Sequence, residues 1–170
     1  SFMFQPATAH VTQEFSIRHN IEREYLEELF SLPESAGDEK DWRYFYDDAR
    51  LHYLRDLLAR GDAELRLTGI SVSLLSLRPD ICALLLIRSE DWHRRHIGDP
   101  PTPHDAIHLN LEYTAGDSAA SSSALFFDLA DDDAALIRRG GITADQVVPA
   151  GAGAFWLGVD ALRQRLTPLA

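Results

Sequence analysis

Four of the seven histidines in this chain lie within sixteen consecutive residues, and their side chains could bind a metal. Neutral imidazoles are ligands for zinc, copper or nickel, and two of these histidines stand one helical turn apart. However, the spacing matches no zinc template, no cysteine assists, and two arginines within the group oppose a cation. We therefore commit to no metal and no cofactor, and we expect a partly exposed loop of unrelated histidines. The ligands, if a metal is present, are His93, His96, His104 and His108.

A second candidate site is the polar side of a predicted strand at 107–113. His108, Asn110 and Glu112 alternate there with apolar residues and therefore share one face. In a pocket, His108 and Glu112 could act as general acid and base, with Asn110 orienting a substrate. The alternative is the solvated outer face of a sheet.

A third set follows one face of a predicted helix at 39–60. Asp48, His52 and Asp56 are four residues apart, and a carboxylate beside an imidazole can orient it as a base. No nucleophile matches them. Because Arg55 is close by, we expect a solvent-facing stripe of ion pairs.

The composition excludes several functions. Sixteen basic and twenty-seven acidic residues give a net charge of −11, which repels the phosphates of nucleic acids. The same charge favours a basic protein partner, although solubility alone also explains it. No apolar run is long enough to span a membrane, and the lone Cys82 lies in an apolar run where a buried side chain is expected. We expect a cytoplasmic protein that starts at Met3, with the two residues before it left from cloning.

Hydrophobic periodicity predicts the elements that would position these residues. Two amphipathic helices, at 18–33 and 39–60, precede a β-hairpin at 64–89. Asp38 is expected to cap the second helix, and Gly61 to end it. The hairpin is expected to turn at Arg78-Pro79-Asp80, and its second arm to be a central strand. A change of apolar parity across Gly69 predicts a bulge.

The C-terminal half completes a single α+β domain at 3–170. Strands are predicted at 107–113 and 124–129, a helix at 131–139, a small hairpin around 150–153 and a terminal helix at 159–166. The fold class is α+β, with two N-terminal helices packed on a mainly antiparallel sheet, followed by a C-terminal helix, the small hairpin and the terminal helix.

This order of elements resembles, in architecture only, cone-shaped folds of the nuclear-transport-factor kind as well as secretion chaperones, immunity proteins and adaptors. We expect a non-catalytic protein-binding domain that uses its acidic surface or the loop at 92–104; an exposed sheet edge could also support a homodimer. The alternative is a small-molecule enzyme or binding protein with a pocket between the N-terminal helices and the sheet. The candidate partner-binding residues are Trp92, Arg94, Arg95, His96 and His104.

Overall fold

The computed structural model describes residues 15–32, 43–74, 77–107 and 149–166. The α+β class is confirmed, since helices accompany a two-stranded antiparallel sheet. The elements are α1 (Ile17–Phe30), α2 (Ala49–Arg60), β1 (Ala63–Val72), β2 (Pro79–Ile87), α3 (Glu90–His93), a π-helical turn (Arg94–Gly98) and α4 (Pro149–Leu166). No helix in these ranges is both long and apolar enough to cross a membrane.

The chain divides into two compact units. The described part of one unit is 15–32, 43–64 and 86–107, and that of the other is 65–74, 77–85 and 149–166. The expectation of one domain stays a prediction. The predicted strands at 107–113 and 124–129 and the helix at 131–139 lie outside the described residues, apart from Ile107.

The first unit is built on α1 and α2, and side-chain caps set where these helices begin. Ser16 accepts a hydrogen bond from the backbone N–H of His19 at the start of α1, and Asp48 accepts one from that of Arg50 at the start of α2. The predicted start of α2 at residue 39 is therefore wrong over residues 43–48, where the chain forms turns that bury Phe45. The predicted end is confirmed, because Gly61 adopts a φ of 80°, which favours glycine.

The core of this unit lies between α1, α2 and the segment at 90–98. Its members are less than 7% exposed and are mostly leucine and aromatic residues. Packing of this kind, and not helix propensity, supplies most of the stability of short helices. The core side chains are Tyr25, Leu26, Phe30, Phe45, Leu51, Leu54, Leu57, Trp92 and His96.

The hairpin of β1 and β2 turns earlier than the sequence predicts. The backbone N–H of Ser73 bonds to the carbonyl of Arg78 at 3.1 Å, so the turn precedes Pro79. The predicted turn at Arg78-Pro79-Asp80 is wrong because Pro79 opens β2, and the first residue of a strand tolerates the missing N–H. At the other end, Arg88 N–H bonds to Asp62 O in a register shifted by one residue. The bulge predicted at Gly69 stays a prediction.

Helix α4 replaces the predicted small hairpin around 150–153, which is wrong. The helix is continuous from Pro149 to Leu166, and a proline is favourable in its first turn. A Cβ at Gly153 would lie 2.5 Å from Ser71 Oγ, so this glycine permits the helix to approach β1 closely. Cys82 on β2 is buried, as predicted, whereas Ile70 and Val72, which alternate with Ser71, are 65% and 50% exposed.

Candidate functional site

The candidate site is built on residues 89–105, which leave β2 and form a short helical segment. Ser89 caps α3 by accepting a hydrogen bond from the backbone N–H of Trp92 at 3.2 Å. The helix then widens into a π-helical turn, which Asp99 N–H closes on Arg94 O at 2.7 Å. π-helical turns are rare in proteins, and those that occur are often found at functional sites. This segment confirms and extends the predicted helical turn at 90–95.

Trp92 fixes the segment to α1. Its side chain is 5% exposed, and its indole N–H donates to the hydroxyl of Tyr25 at 3.0 Å. Burial is the main cause that raises the pKa of Tyr25 to about 12, so this hydroxyl stays neutral at physiological pH. Trp92 therefore anchors the segment in the core against α1.

His96 is the second buried anchor. It is 2% exposed, and the rings of Phe30, Trp92 and Tyr53 surround it at centroid distances of 5.1, 5.0 and 6.2 Å. Its Nδ1 lies 2.6 Å from the carbonyl oxygen of Asp105. Because a carbonyl can only accept, Nδ1 carries the proton and Nε2 holds a lone pair in the neutral ring. That Nε2 is buried without a hydrogen-bond partner.

The neutral ring is the favoured form of His96. Burial lowers the pKa of this side chain below 6.5, while the hydrogen bond to the Asp105 carbonyl opposes the shift and Arg95 and Arg50 add to it. The backbone of His96 binds the chain a second time, because Ile107 N–H donates a hydrogen bond to the His96 carbonyl at 3.0 Å. His96 therefore holds the C-terminal end of the loop at 99–107 through both its side chain and its backbone.

Arg50 on α2 fixes the outer end of this loop. Its guanidinium donates to the carbonyl of His104 at 3.2 Å and lies 4.9 Å from the Phe30 ring centroid. The two oxygens of Asp48 hold the same guanidinium at 2.9 and 2.5 Å. Thr102 and Asp105 close a turn within the loop, since Asp105 N–H bonds to Thr102 O.

The outer side of the segment carries a chain of aromatic and charged contacts. The hydroxyl of Tyr53 on α2 donates to Asp91 Oδ2 at 2.8 Å, and Arg94 donates to Asp91 Oδ1. These bonds to Tyr53 and then Arg94 lower the pKa of Asp91. Arg95 places its guanidinium carbon 4.9 Å from the Tyr53 ring centroid. Arg94 and Arg95 are exposed.

On α2, Arg55 takes part in a buried ion network with residues of α1. Glu22, whose side chain is 4% exposed, accepts from Arg55 through both oxygens, at 3.1 and 2.6 Å, and from Arg18 at 2.9 Å. Burial would raise the pKa of Glu22, but the hydrogen bonds from Arg55 and Arg18 outweigh it and lower that pKa. Nearby, His19 Nδ1 lies 3.0 Å from the Tyr46 hydroxyl. This network joins the two helices.

The structure separates the residues that the sequence grouped for metal binding. No three metal-ligating side chains in the described ranges come together. His96 is buried, whereas His93 and His104 are exposed; His108, with Asn110 and Glu112, lies outside the described residues. The proposed catalytic role of His108 and Glu112, with Asn110 orienting a substrate, stays a prediction.

The stripe predicted on α2 is divided in the structure. Asp48 caps the helix and Arg55 binds Glu22 on the buried side, while His52 and Asp56 are exposed. Arg55 therefore pairs with α1 and Asp48 with Arg50 at the start of α2, so the expected solvent-facing stripe of ion pairs is wrong.

Of the predicted partner-binding residues, Trp92 and His96 face the interior, and Arg94, Arg95 and His104 are exposed. Sequence reasoning missed Tyr53 and Asp91 as part of this surface. Their bond joins residues 38 positions apart, and no local pattern marks such a pair.

Comparison of the chain with protein-family models, with curated proteins and with solved structures gives no match in any of the three.

Proposed function

We propose that this chain is a non-catalytic protein-binding domain whose contact surface is the outer side of the segment at 93–104. We call this outer side the ridge. Its exposed side chains include an apolar residue, two arginines and two histidines. They are His93, Arg94, Arg95, Ile97 and His104.

One observation carries the proposal: the ridge is exposed, while one side chain within it and one just before it are buried anchors. Trp92 and His96 are 5% and 2% exposed and are held by Tyr25 and by the Asp105 carbonyl. A surface fixed in this way loses little conformational entropy when a partner binds. Arginine is also enriched among the residues that contribute most to interface energies.

The charge of the chain favours a protein as the partner. A net charge of −11 disfavours a polyanion such as nucleic acid, and it favours a protein whose surface is neutral or basic overall. The proline sequence at 100–103 offers no extended polyproline ligand, because Pro103 lies in the turn that Thr102 and Asp105 close. The ridge is therefore proposed to act through its folded shape.

Site-specific photo-crosslinking tests this proposal. A benzophenone amino acid is introduced at Ile97, or at His104, in the intact chain expressed in its own cells. The matched control replaces His52, which is exposed on α2. We expect both ridge positions to crosslink the same protein and the control position not to do so.

The purified partner then decides the outcome. Ile97→Asp places a charge on the ridge and is expected to weaken binding of that partner at least tenfold by calorimetry, while His52→Asp leaves binding unchanged. Crosslinks that appear equally at all three positions, or a partner insensitive to Ile97→Asp, would contradict the proposal.

A further inference from the structure

We infer that Arg95 is the anchor of the ridge and that it recognises a carboxylate on the partner protein; this inference rests on the proposed function. The two arginines of the ridge differ in whether they already pair with an acid. Arg94 is bound to Asp91, and other arginines of the same unit are bound to acids in the same way, for example Arg50 to Asp48 and Arg88 to Glu64. Arg95 is exposed and forms no ion pair with a carboxylate in the part of the chain that the structure describes, and the charge of Asp91 acts on it only through space.

The geometry around Arg95 explains why the nearest acid does not neutralise it. Asp91 uses one carboxylate oxygen for the Tyr53 hydroxyl and the other for Arg94. The first of these bonds also fixes the Tyr53 ring, and the guanidinium carbon of Arg95 lies over that ring, 4.9 Å from its centroid. Arg95 is thus held in place by an aromatic face instead of by a charge.

An arginine held in this way is suited to binding a carboxylate. A cation–π contact uses no acceptor atom, so the guanidinium N–H groups that do not face the ring stay available to a carboxylate. Two of those N–H groups match the two oxygens of a carboxylate, which gives a bidentate and charge-assisted pair. Because the contact with the Tyr53 ring restricts the side chain beforehand, less rotamer entropy is lost on binding.

The carboxylate is assigned to a protein and not to another anion by the charge of the whole chain. A long phosphate polymer would meet the field of eleven excess negative charges along its length, whereas a short acidic segment of a neutral or basic protein meets that field only at the ridge. The partner class is therefore a protein that presents an aspartate, a glutamate or a terminal carboxylate to the ridge.

An NMR titration of the intact chain tests the inference. The probe is a blocked tetraglutamate peptide, compared with the blocked tetraglutamine peptide at the same low salt concentration. We expect the Nε–Hε signal of Arg95 to shift saturably with tetraglutamate and not with tetraglutamine. The internal control is Arg60, which is 59% exposed but lies 3.3 Å from Asp62 Oδ2, and whose signal is expected to stay in place.

Matched variants separate recognition from general attraction. Arg95→Ala is expected to weaken tetraglutamate binding at least tenfold, and Arg95→Lys to weaken it severalfold because lysine keeps the charge but loses the fork. Arg60→Ala is expected to change nothing. Equal shifts at Arg60 and Arg95, or shifts at Arg95 with a single-stranded oligonucleotide but not with tetraglutamate, would overturn the inference.

The partner found by crosslinking separates this inference from the function beneath it. If that partner binds the Arg95→Ala and wild-type chains equally, the carboxylate inference is overturned and the protein-binding function stands. If tetraglutamate binds at Arg95 but the ridge positions crosslink no protein, the protein-binding function fails and the inference fails with it.

Discussion

The indole N–H of Trp92 donates a hydrogen bond to the hydroxyl of Tyr25 at 3.0 Å, with both side chains at most 5% exposed. This bond joins the segment that carries the ridge to α1, 67 positions away in the chain. It satisfies the only hydrogen-bonding group of the indole where water has no access. The position of the ridge therefore depends on a contact that is buried inside the unit.

The Tyr25→Phe variant is expected to lower the free energy of unfolding by about 2 kcal/mol. The ring still fills its place, but the buried indole N–H of Trp92 loses its acceptor. Urea denaturation followed by Trp fluorescence measures the change. The control is Tyr53→Phe, which removes an exposed bond to Asp91 and is expected to cost about 0.5 kcal/mol. Equal losses in the two variants would show that the indole bond does not stabilise the fold.

The free energy of unfolding is expected to fall as the pH decreases from about 7.5 to 5. Burial is the main cause that lowers the pKa values of His19 and His96 below 6.5. The unfolded chain therefore binds more protons than the folded chain in this range, and stability is lost as the pH falls below about 6.5. The lowered pKa values of Glu22 and Asp48 act at more acidic pH, because their contribution is lost only as those carboxylates become protonated.

Denaturation curves at several pH values test the contribution of His96. In His96→Gln the decrease of stability between pH 7.5 and 5 is expected to be smaller than in the wild type, because one buried group no longer titrates. His52→Gln changes an exposed histidine on α2 and is expected to keep the wild-type decrease. A His96→Gln chain with the full wild-type pH dependence would show that this imidazole does not contribute.

Glu22→Gln is expected to destabilise the protein by about 2 kcal/mol. The carboxylate is 4% exposed and accepts from Arg55 and Arg18, so its loss leaves two arginines without their acid. Breaking a buried ion pair costs up to 3–5 kcal/mol, and the partial exposure of both arginines reduces this value. Urea denaturation measures the effect.

The control for this prediction is the surface pair of Arg60 and Asp62, whose side chains are 59% and 51% exposed. Asp62→Asn is expected to change stability by no more than about 0.5 kcal/mol. A double change, Glu22→Leu with Arg55→Met, is expected to cost less than the two single changes together, because Glu22 and Arg55 are then removed as a pair and only the exposed Arg18 loses its acid. Additive losses would contradict a direct pair.

Gly153→Ala is expected to destabilise the protein by about 1–3 kcal/mol. The added methyl group would lie 2.5 Å from Ser71 Oγ, so α4 or β1 must move. Ser71→Gly removes the obstructing atoms and is expected to recover part of the loss. Gly158→Ala serves as the control, since its methyl group would meet Leu84 at an ordinary 3.9 Å and alanine favours a helix by up to about 1 kcal/mol. Equal stabilisation in both alanine variants would exclude the close approach of α4 to β1.

The sequence by itself determined the features that depend on neighbouring residues. The period of apolar residues predicted α1, the end of α2 followed from Gly61, and two apolar runs predicted the paired strands β1 and β2. Errors arose where two local signals competed. Asp38 and Asp48 are both good caps, and only burial of Phe45 and the bond from Arg50 N–H select Asp48.

Tertiary structure decided the features that depend on residues far apart. Glycines at 151 and 153 resemble a turn in the sequence, yet contact with Ser71 makes Gly153 favourable within a helix. The candidate site shows the same limit. Composition marked the segment at 92–104, but only packing buried Trp92 and His96, paired Asp91 with Tyr53 and left Arg95 on an aromatic face. Spacing along the chain constrains contacts within a turn of helix, whereas these contacts arise only when separate elements meet in the folded core.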